Sequence, residues 1–202
     1  VALFRDLSPG VALRLASLGN GVDADFFAPD PARLSPFSAG ELPLVFTGAM
    51  DYWPNVDAVS WFATDIFPQL RARFPALRFH IVGRSPAPAV QALASDLIRV
   101  TGTVPDVRPY LQHAAAVVAP LRLARGIQNK VLEAMAMARP VVAAASCVRA
   151  IAAERQSGLE PADDAAGYVE RIAALLADPA GADAAGRSAR EFVCDAFSWD
   201  AH

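Results

Sequence analysis

Residues 120–142 read PLRLARGIQNKVLEAMAMARPVV and hold the side chains best suited to chemistry. Arg122, Arg125 and Lys130 concentrate positive charge in a chain whose formal net charge is −3. An apolar run ends at Pro120, and a helix is expected to open at Gly126 and run to Ala138. Its first residues, Gly126, Ile127, Gln128 and Asn129, would then offer unpaired backbone N–H groups at the positive end of the helix dipole, which suits a phosphate. Lys130 and Glu133 stand three apart, on a different edge from the inward-facing Ile127, Val131, Ala134, Met135 and Ala138. As a plain surface ion pair they would contribute only ~0.2–0.5 kcal/mol. As site residues they would do more, since a carboxylate in the second turn can accept hydrogen bonds from two neighbouring hydroxyls such as a ribose presents. Phosphates at the helix tip and ribose at Glu133 make a consistent pose for a nucleoside diphosphate. Of the 18 basic residues only Lys130 is lysine, so a compact ammonium persists where drift has favoured arginine elsewhere.

The surrounding sequence alternates short apolar runs with helical stretches. Strands are expected at 44–48, 77–83, 98–102, 115–120 and 140–145, and helices at 55–74, 87–97, 107–113, 126–138, 165–177 and 182–194. Asp106 and the Asp163-Asp164 pair are placed as helix caps. Strand–helix alternation with short connections implies a doubly wound α/β domain with a parallel sheet covered on both faces. In such sheets ligands bind beyond the carboxyl ends of the strands, where strand order reverses. The loops after Gly48, Gly83, Gly102, Pro120 and Ala145 are therefore the ones that should surround a site. A base would sit near Gly83-Arg84 and Gly102-Thr103-Val104.

Composition narrows the function classes. The chain of 202 residues is 54% hydrophobic and 19% charged, which supports a real core. An acidic balance gives no global pull toward nucleic acid. Cys147 and Cys194 have no metal-ligand or redox spacing and read as small buried hydrophobes. No metal cluster is visible, and His80 and His113 read as structural. No apolar run reaches the ~20 residues of a membrane span, and the first residues, with Arg5, Asp6 and Arg14 and no long apolar stretch, do not read as a signal peptide. The chain begins at Val1 rather than Met, so it is expected to be a piece of a longer protein. Residues 1–22 read as the remnant of a preceding domain with its linker, and 23–202 as the Rossmann-like domain that carries the nucleotide site.

KVLEAMAMARPVV resembles the donor-site motif of group 1 (family 4) glycosyltransferases. Asn20-Gly21-Val22-Asp23 resembles the family's crossing into its C-terminal domain. VFTGA, FHIVGR, VTGTVPDVRPYL and Phe197-Ser198-Trp199 resemble further landmarks in the family's order. FTGAMDYWPNVDAV together with PLRLARGIQNKVLEAMAM is similar, more narrowly, to sugar transferases of PEP-CTERM/exosortase exopolysaccharide systems.

The resemblance implies the Rossmann-like C-terminal half of a GT-B glycosyltransferase. It implies a nucleotide-diphosphate sugar as donor, transfer usually with retention, and an acceptor held by an absent N-terminal domain. It implies no metal and no cofactor beyond the substrate, and a cytoplasmic protein with room for peripheral membrane association through the absent domain. Glu133 would be the second glutamate of the family's E-x7-E motif and bind ribose. The first falls at Arg125, a departure. The usual cations after the first strand are also missing, since residues 48–53 read GAMDYW. Lys130 would then be the chief stabiliser of the leaving diphosphate and Arg125 the second, with Gly48, Arg84, Val104, Arg122, Gly126, Ile127, Gln128, Asn129 and Glu133 binding the donor. The rival readings are a non-catalytic nucleotide-sugar-binding module and a GT-B epimerase. A dinucleotide-binding domain is disfavoured, because no G-x-G-x-x-G follows the first strand.

Overall fold

The computed structural model describes residues 20–124, 126–151 and 158–199. Six parallel strands, β1 (Leu42–Thr47), β2 (Leu77–Val82), β3 (Ile98–Val100), β4 (Ala116–Ala119), β5 (Val141–Ala144) and β6 (Leu159–Ala162), form one sheet in the order β3-β2-β1-β4-β5-β6. Parallel strands covered on both faces must be apolar almost throughout. β1 is buried from Pro43 onward and β4 is buried at every residue. Leu44 lies opposite Phe79 across β1–β2 and opposite Ala116 across β1–β4. Strand order reverses between β1 and β4, so the crevice forms at their carboxyl ends.

The expected helix over 55–74 is three segments in one run: α1 (Trp53–Trp61), a widened π segment (Phe62–Ile66) and α2 (Phe67–Arg73). The widening has a local cause. Pro68 has no N–H to return to the carbonyl four residues back, and the Phe67 N–H instead reaches Phe62 O. Past β2, only α3 (Pro88–Gln91) forms where 87–97 was expected to be helical. The Ser95 hydroxyl accepts the N–H groups of Leu97 and Ile98 at 3.3 and 3.2 Å, a local alternative that ends the helix. Helix α4 (Arg108–Gln112) follows β3, and Asp106 accepts the Arg108 N–H at 2.9 Å.

Beyond β4, α5 (Asn129–Ala136) begins three residues later than expected. Gly126 has φ +66, the left-handed region, so it lies in the loop rather than in a first helical turn. Two elements had no forecast, α6 (Ala145–Ile151) and β6. Pro161 punctuates β6, and an edge strand tolerates it because the missing N–H would have faced outward. Helix α7 (Ala165–Ala177) has its expected bounds, with Asp164 accepting the Gly167 N–H at 2.8 Å. Helix α8 (Pro179–Phe197) starts earlier than expected, capped by Asp178. The first and last described segments meet, since Val22 N–H donates to Phe197 O at 2.8 Å and Val22 bridges to Ser198.

His80 in β2 is 5% exposed, packs at a tilt against the Phe37 ring and bonds Glu41 through Nε2, while Nδ1 has no partner. Burial lowers its pKa below 6.5, although the Glu41 carboxylate opposes the shift. A histidine held neutral in the fold binds fewer protons there than in the unfolded chain. Its contribution is therefore complete above 6.5 and lost as pH falls below it. The midpoint of thermal unfolding should drop on acidification through this window, and His80→Gln should flatten that part of the profile. An equal slope in both proteins would contradict this.

Candidate functional site

A cleft of about 510 Å³ opens at the carboxyl ends of β1 and β2. Thr47, Gly48 and Ala49 form one wall, Gly83, Arg84, Thr103 and Val104 the other, and Gln128, Asn129, Lys130 and Glu133 at the start of α5 close it. Gly48 N–H donates to Val82 O at 3.1 Å, which holds the two strand ends together. The glycines allow the close approach. A Cβ on Gly48 would come within 2.7 Å of Asn55 Nδ2 and 2.9 Å of Lys130 Nζ. Gly48→Ala should therefore push both side chains aside. Nucleotide affinity is expected to fall about tenfold, with a stability loss of ~1 kcal/mol, by titration calorimetry and urea unfolding. Unchanged affinity would mean the two side chains have room to move.

Lys130 is the centre of this arrangement. Its Nζ donates to Asn55 Oδ1 at 2.6 Å and lies 4.1 Å from the centroid of the Phe46 ring. Burial drives its pKa down to about 7, partly opposed by Cys147 and Glu133. Glu133, one turn along α5, is pushed above its ordinary value by burial, with Lys130 opposing. The two do not make the surface ion pair considered above. They sit together in a half-dry cleft. Asn129 and Lys130 are in the first turn of α5, behind Gln128 in extended conformation, so their N–H groups lie at the helix tip.

The structure brings together Gly48, Arg84, Val104, Gln128, Asn129, Lys130 and Glu133. It places Arg122 elsewhere: its guanidinium pairs with Asp57 of α1 and lies 5.4 Å from the centroid of the Trp61 ring. Asp57 captures this cation because α1 passes alongside the loop after β4. Gly126 and Ile127 precede the helix and do not line the cleft. Ile127 packs against the core, and its carbonyl accepts from Asn20 at 3.5 Å. Arg125 lies outside the described residues. Asn20 also donates to Asn129 Oδ1 at 3.1 Å, tying the start of the described chain to the helix tip.

Asn55 is the residue the sequence reading missed. It is 6% exposed, and its amide spans the site by donating to Ala49 O at 2.9 Å while accepting from Lys130. Tyr52 and Trp53, at the start of α1, are 61% and 59% exposed. Among the described residues no group of three or more His, Cys, Asp and Glu side chains is placed to hold a metal ion, and no helix is long and apolar enough to cross a membrane.

The family described as glycosyl transferases group 1 matches residues 41–178. No curated protein matches the chain. Among solved structures the chain is similar to sucrose-phosphate synthase from Thermosynechococcus elongatus, at 21% identity and TM-score 0.70, over 97% of this chain and 53% of that one. It is similar to HepE from Anabaena in complex with UDP, at 14% identity and TM-score 0.72, over 96% and 56%. It is also similar to the C-terminal domain of LpcC, a glycosyl transferase group 1 family protein from Francisella tularensis, at 17% identity and TM-score 0.63, over 89% and 100%. The chain spans about half the length of the first two.

Proposed function

We propose, from the premise that this chain belongs to the group 1 glycosyltransferases, that it is the donor-binding domain of an enzyme moving a sugar from a nucleotide-diphosphate sugar to an acceptor. Its fold is the Rossmann-like C-terminal half of a GT-B glycosyltransferase. The observation that carries the reading is the Lys130 amine held in the cleft at the tip of α5, with Glu133 one turn further on. The diphosphate docks on Lys130 and the first N–H groups of α5. Glu133 takes the ribose hydroxyls, and the base lies toward Arg84, Thr103 and Val104. HepE has been solved with UDP and with UDP-glucose, which supports a uridine nucleotide as the first donor to try.

As the sugar–phosphate bond breaks, negative charge grows on the departing diphosphate. A cation and helix N–H groups already aimed there stabilise that charge without having to reorganise. Arg125 is assigned the second cation. Transfer is of a hexosyl group with retention, without metal, in exopolysaccharide synthesis on the cytoplasmic side of the membrane. Residues 23–202 form the donor domain, residues 1–22 are the end of the preceding domain, and the acceptor is held by that other domain, so this piece alone does not turn over.

The test is a thermal-shift titration of this chain with UDP-, GDP- and ADP-sugars. One of them should raise the melting temperature in a concentration-dependent way, and the shift should shrink sharply in Lys130→Ala. No shift with any of the three defeats the proposal.

A further inference from the structure

We propose that Asn55 is a positioning residue that fixes the Lys130 amine in the cleft without supplying a counter-charge, so that a nucleotide sugar binds there together with one proton. This rests on the donor-site reading above and adds to it a residue and a linkage.

Lys130 reaches from α5 toward β1 and α1, where Phe46 offers a ring face and Asn55 a neutral amide oxygen at 2.6 Å. The titratable groups that act on it are Glu133 on its own helix and the Cys147 thiol from α6. Arg84 is the other cation described in the cleft. Burial raises the pKa of the Cys147 thiol and so keeps it neutral, while Glu133 acts on the amine from one turn along α5 without a hydrogen bond or ion pair between them. The amine is therefore anchored by geometry and left electrostatically incomplete. That combination is informative. A buried lysine is ordinarily paired with a carboxylate. An aspartate at 55 would be nearly isosteric and would satisfy it, but the resulting pair would carry no net charge toward a phosphate. The asparagine keeps the position and leaves the charge to be completed by the ligand.

Asn55 is itself held from behind. Its Nδ2 donates to Ala49 O at 2.9 Å, which orients the amide so that Oδ1 faces the amine. Gly48 leaves the space both groups occupy, since a Cβ there would meet each of them. Thus the turn after β1, which lacks the cations expected of the family, instead holds a cation carried by α5.

The linkage follows. The free amine titrates near 7 because burial disfavours its charge. A diphosphate beside it favours the charged form and raises that value. Above about pH 7 the free site is then mostly neutral and the occupied site charged, so one proton is taken from solvent onto Nζ as the ligand enters. Affinity should weaken by about tenfold for each pH unit above that point until the bound amine itself deprotonates.

The experiment is titration calorimetry of this chain with UDP-, GDP- and ADP-glucose, whose phosphodiesters do not titrate in the range. It is run at about pH 8 and about pH 6 in buffers of different ionisation enthalpy, which reads the protons exchanged directly. The expected uptake is close to one proton at the higher pH and close to none at the lower. In Asn55→Asp the carboxylate keeps the amine charged in the free protein. Uptake should vanish and affinity should fall at least about tenfold at the lower pH. In Asn55→Ser, which frees the amine to water, uptake should also fall. A merely structural asparagine would lower affinity or melting temperature in both variants with uptake still near one, and that result overturns the proposal. Absence of uptake in the unmutated chain overturns it as well, which keeps the test decisive if neither variant folds. Failure of all three nucleotide sugars to bind instead overturns the donor-site reading on which this one rests.

Discussion

Gly83→Ala is expected to cost about 3 kcal/mol or more of stability, the largest effect of any single added methyl around the cleft. A Cβ on Gly83 would fall far inside the van der Waals radius of the Gly48 carbonyl oxygen, 2.8 Å from its carbon and 3.2 Å from the Gly48 nitrogen. These are backbone atoms at the ends of two paired strands, so no flexible side chain can yield. Relief requires β1 and β2 to separate where Gly48 bonds Val82. Gly102→Ala is the control, because a Cβ there meets nothing within 4 Å and carries only the strain of φ +68. It should cost ~1 kcal/mol. Urea unfolding of both variants by circular dichroism checks this. Similar midpoints for the two would refute the packing argument. Because the clash lies in the cleft wall, a folded Gly83→Ala protein should also have lost nucleotide binding.

Lys130→Ala in the complete enzyme is expected to lower turnover by about 10²–10³-fold, the range seen when a preorganised group facing developing negative charge is removed. The fold should survive it. Stability can be read separately with Lys130→Met, which retains most of the buried stem. The lysine pKa is 10.5 ordinarily and about 7 in the fold, so between these values the unfolded chain binds more protons. Stability of the unmutated protein should accordingly rise with pH across that window. Lys130→Met should lack this rise and be at least as stable as the unmutated protein at pH 7. Turnover of the alanine variant near that of the unmutated enzyme would show that the leaving diphosphate is stabilised by other groups. A methionine variant that is much less stable would show the amine to be structural.

The sheet was legible because its strands are nearly continuous apolar runs punctuated by glycine, and five of them stand where the pattern puts them. The sixth escaped because Leu159-Glu160-Pro161-Ala162 is short, carries a glutamate and contains proline, which only an edge position allows. The start of α5 was misplaced because glycine serves equally at a helix end and in a left-handed loop, and the choice is made by φ. Lys130 and Glu133 were found by residue type and spacing. Arg122 was not separable from them, since its partner Asp57 lies 65 residues away in sequence. Asn55 had left a signal. It precedes Ala58, Val59 and Phe62 by three, four and seven positions, so it occupies the buried stripe of its helix, where an amide needs partners.

The widened segment Phe62–Ile66 has a bearing on that amide. A π turn accommodates one residue more than the α-helix around it, and each residue advances the helix by about 100°. The azimuth of everything upstream is thus offset from the stretch anchored by Phe67 and Leu70 against the sheet. Asn55 and Asp57 both lie upstream, one holding the lysine and the other holding Arg122. A proline three or more turns away, by forcing that extra residue, determines which way both side chains point, and hence which of the two nearby cations is held in the cleft and which is drawn off beside it.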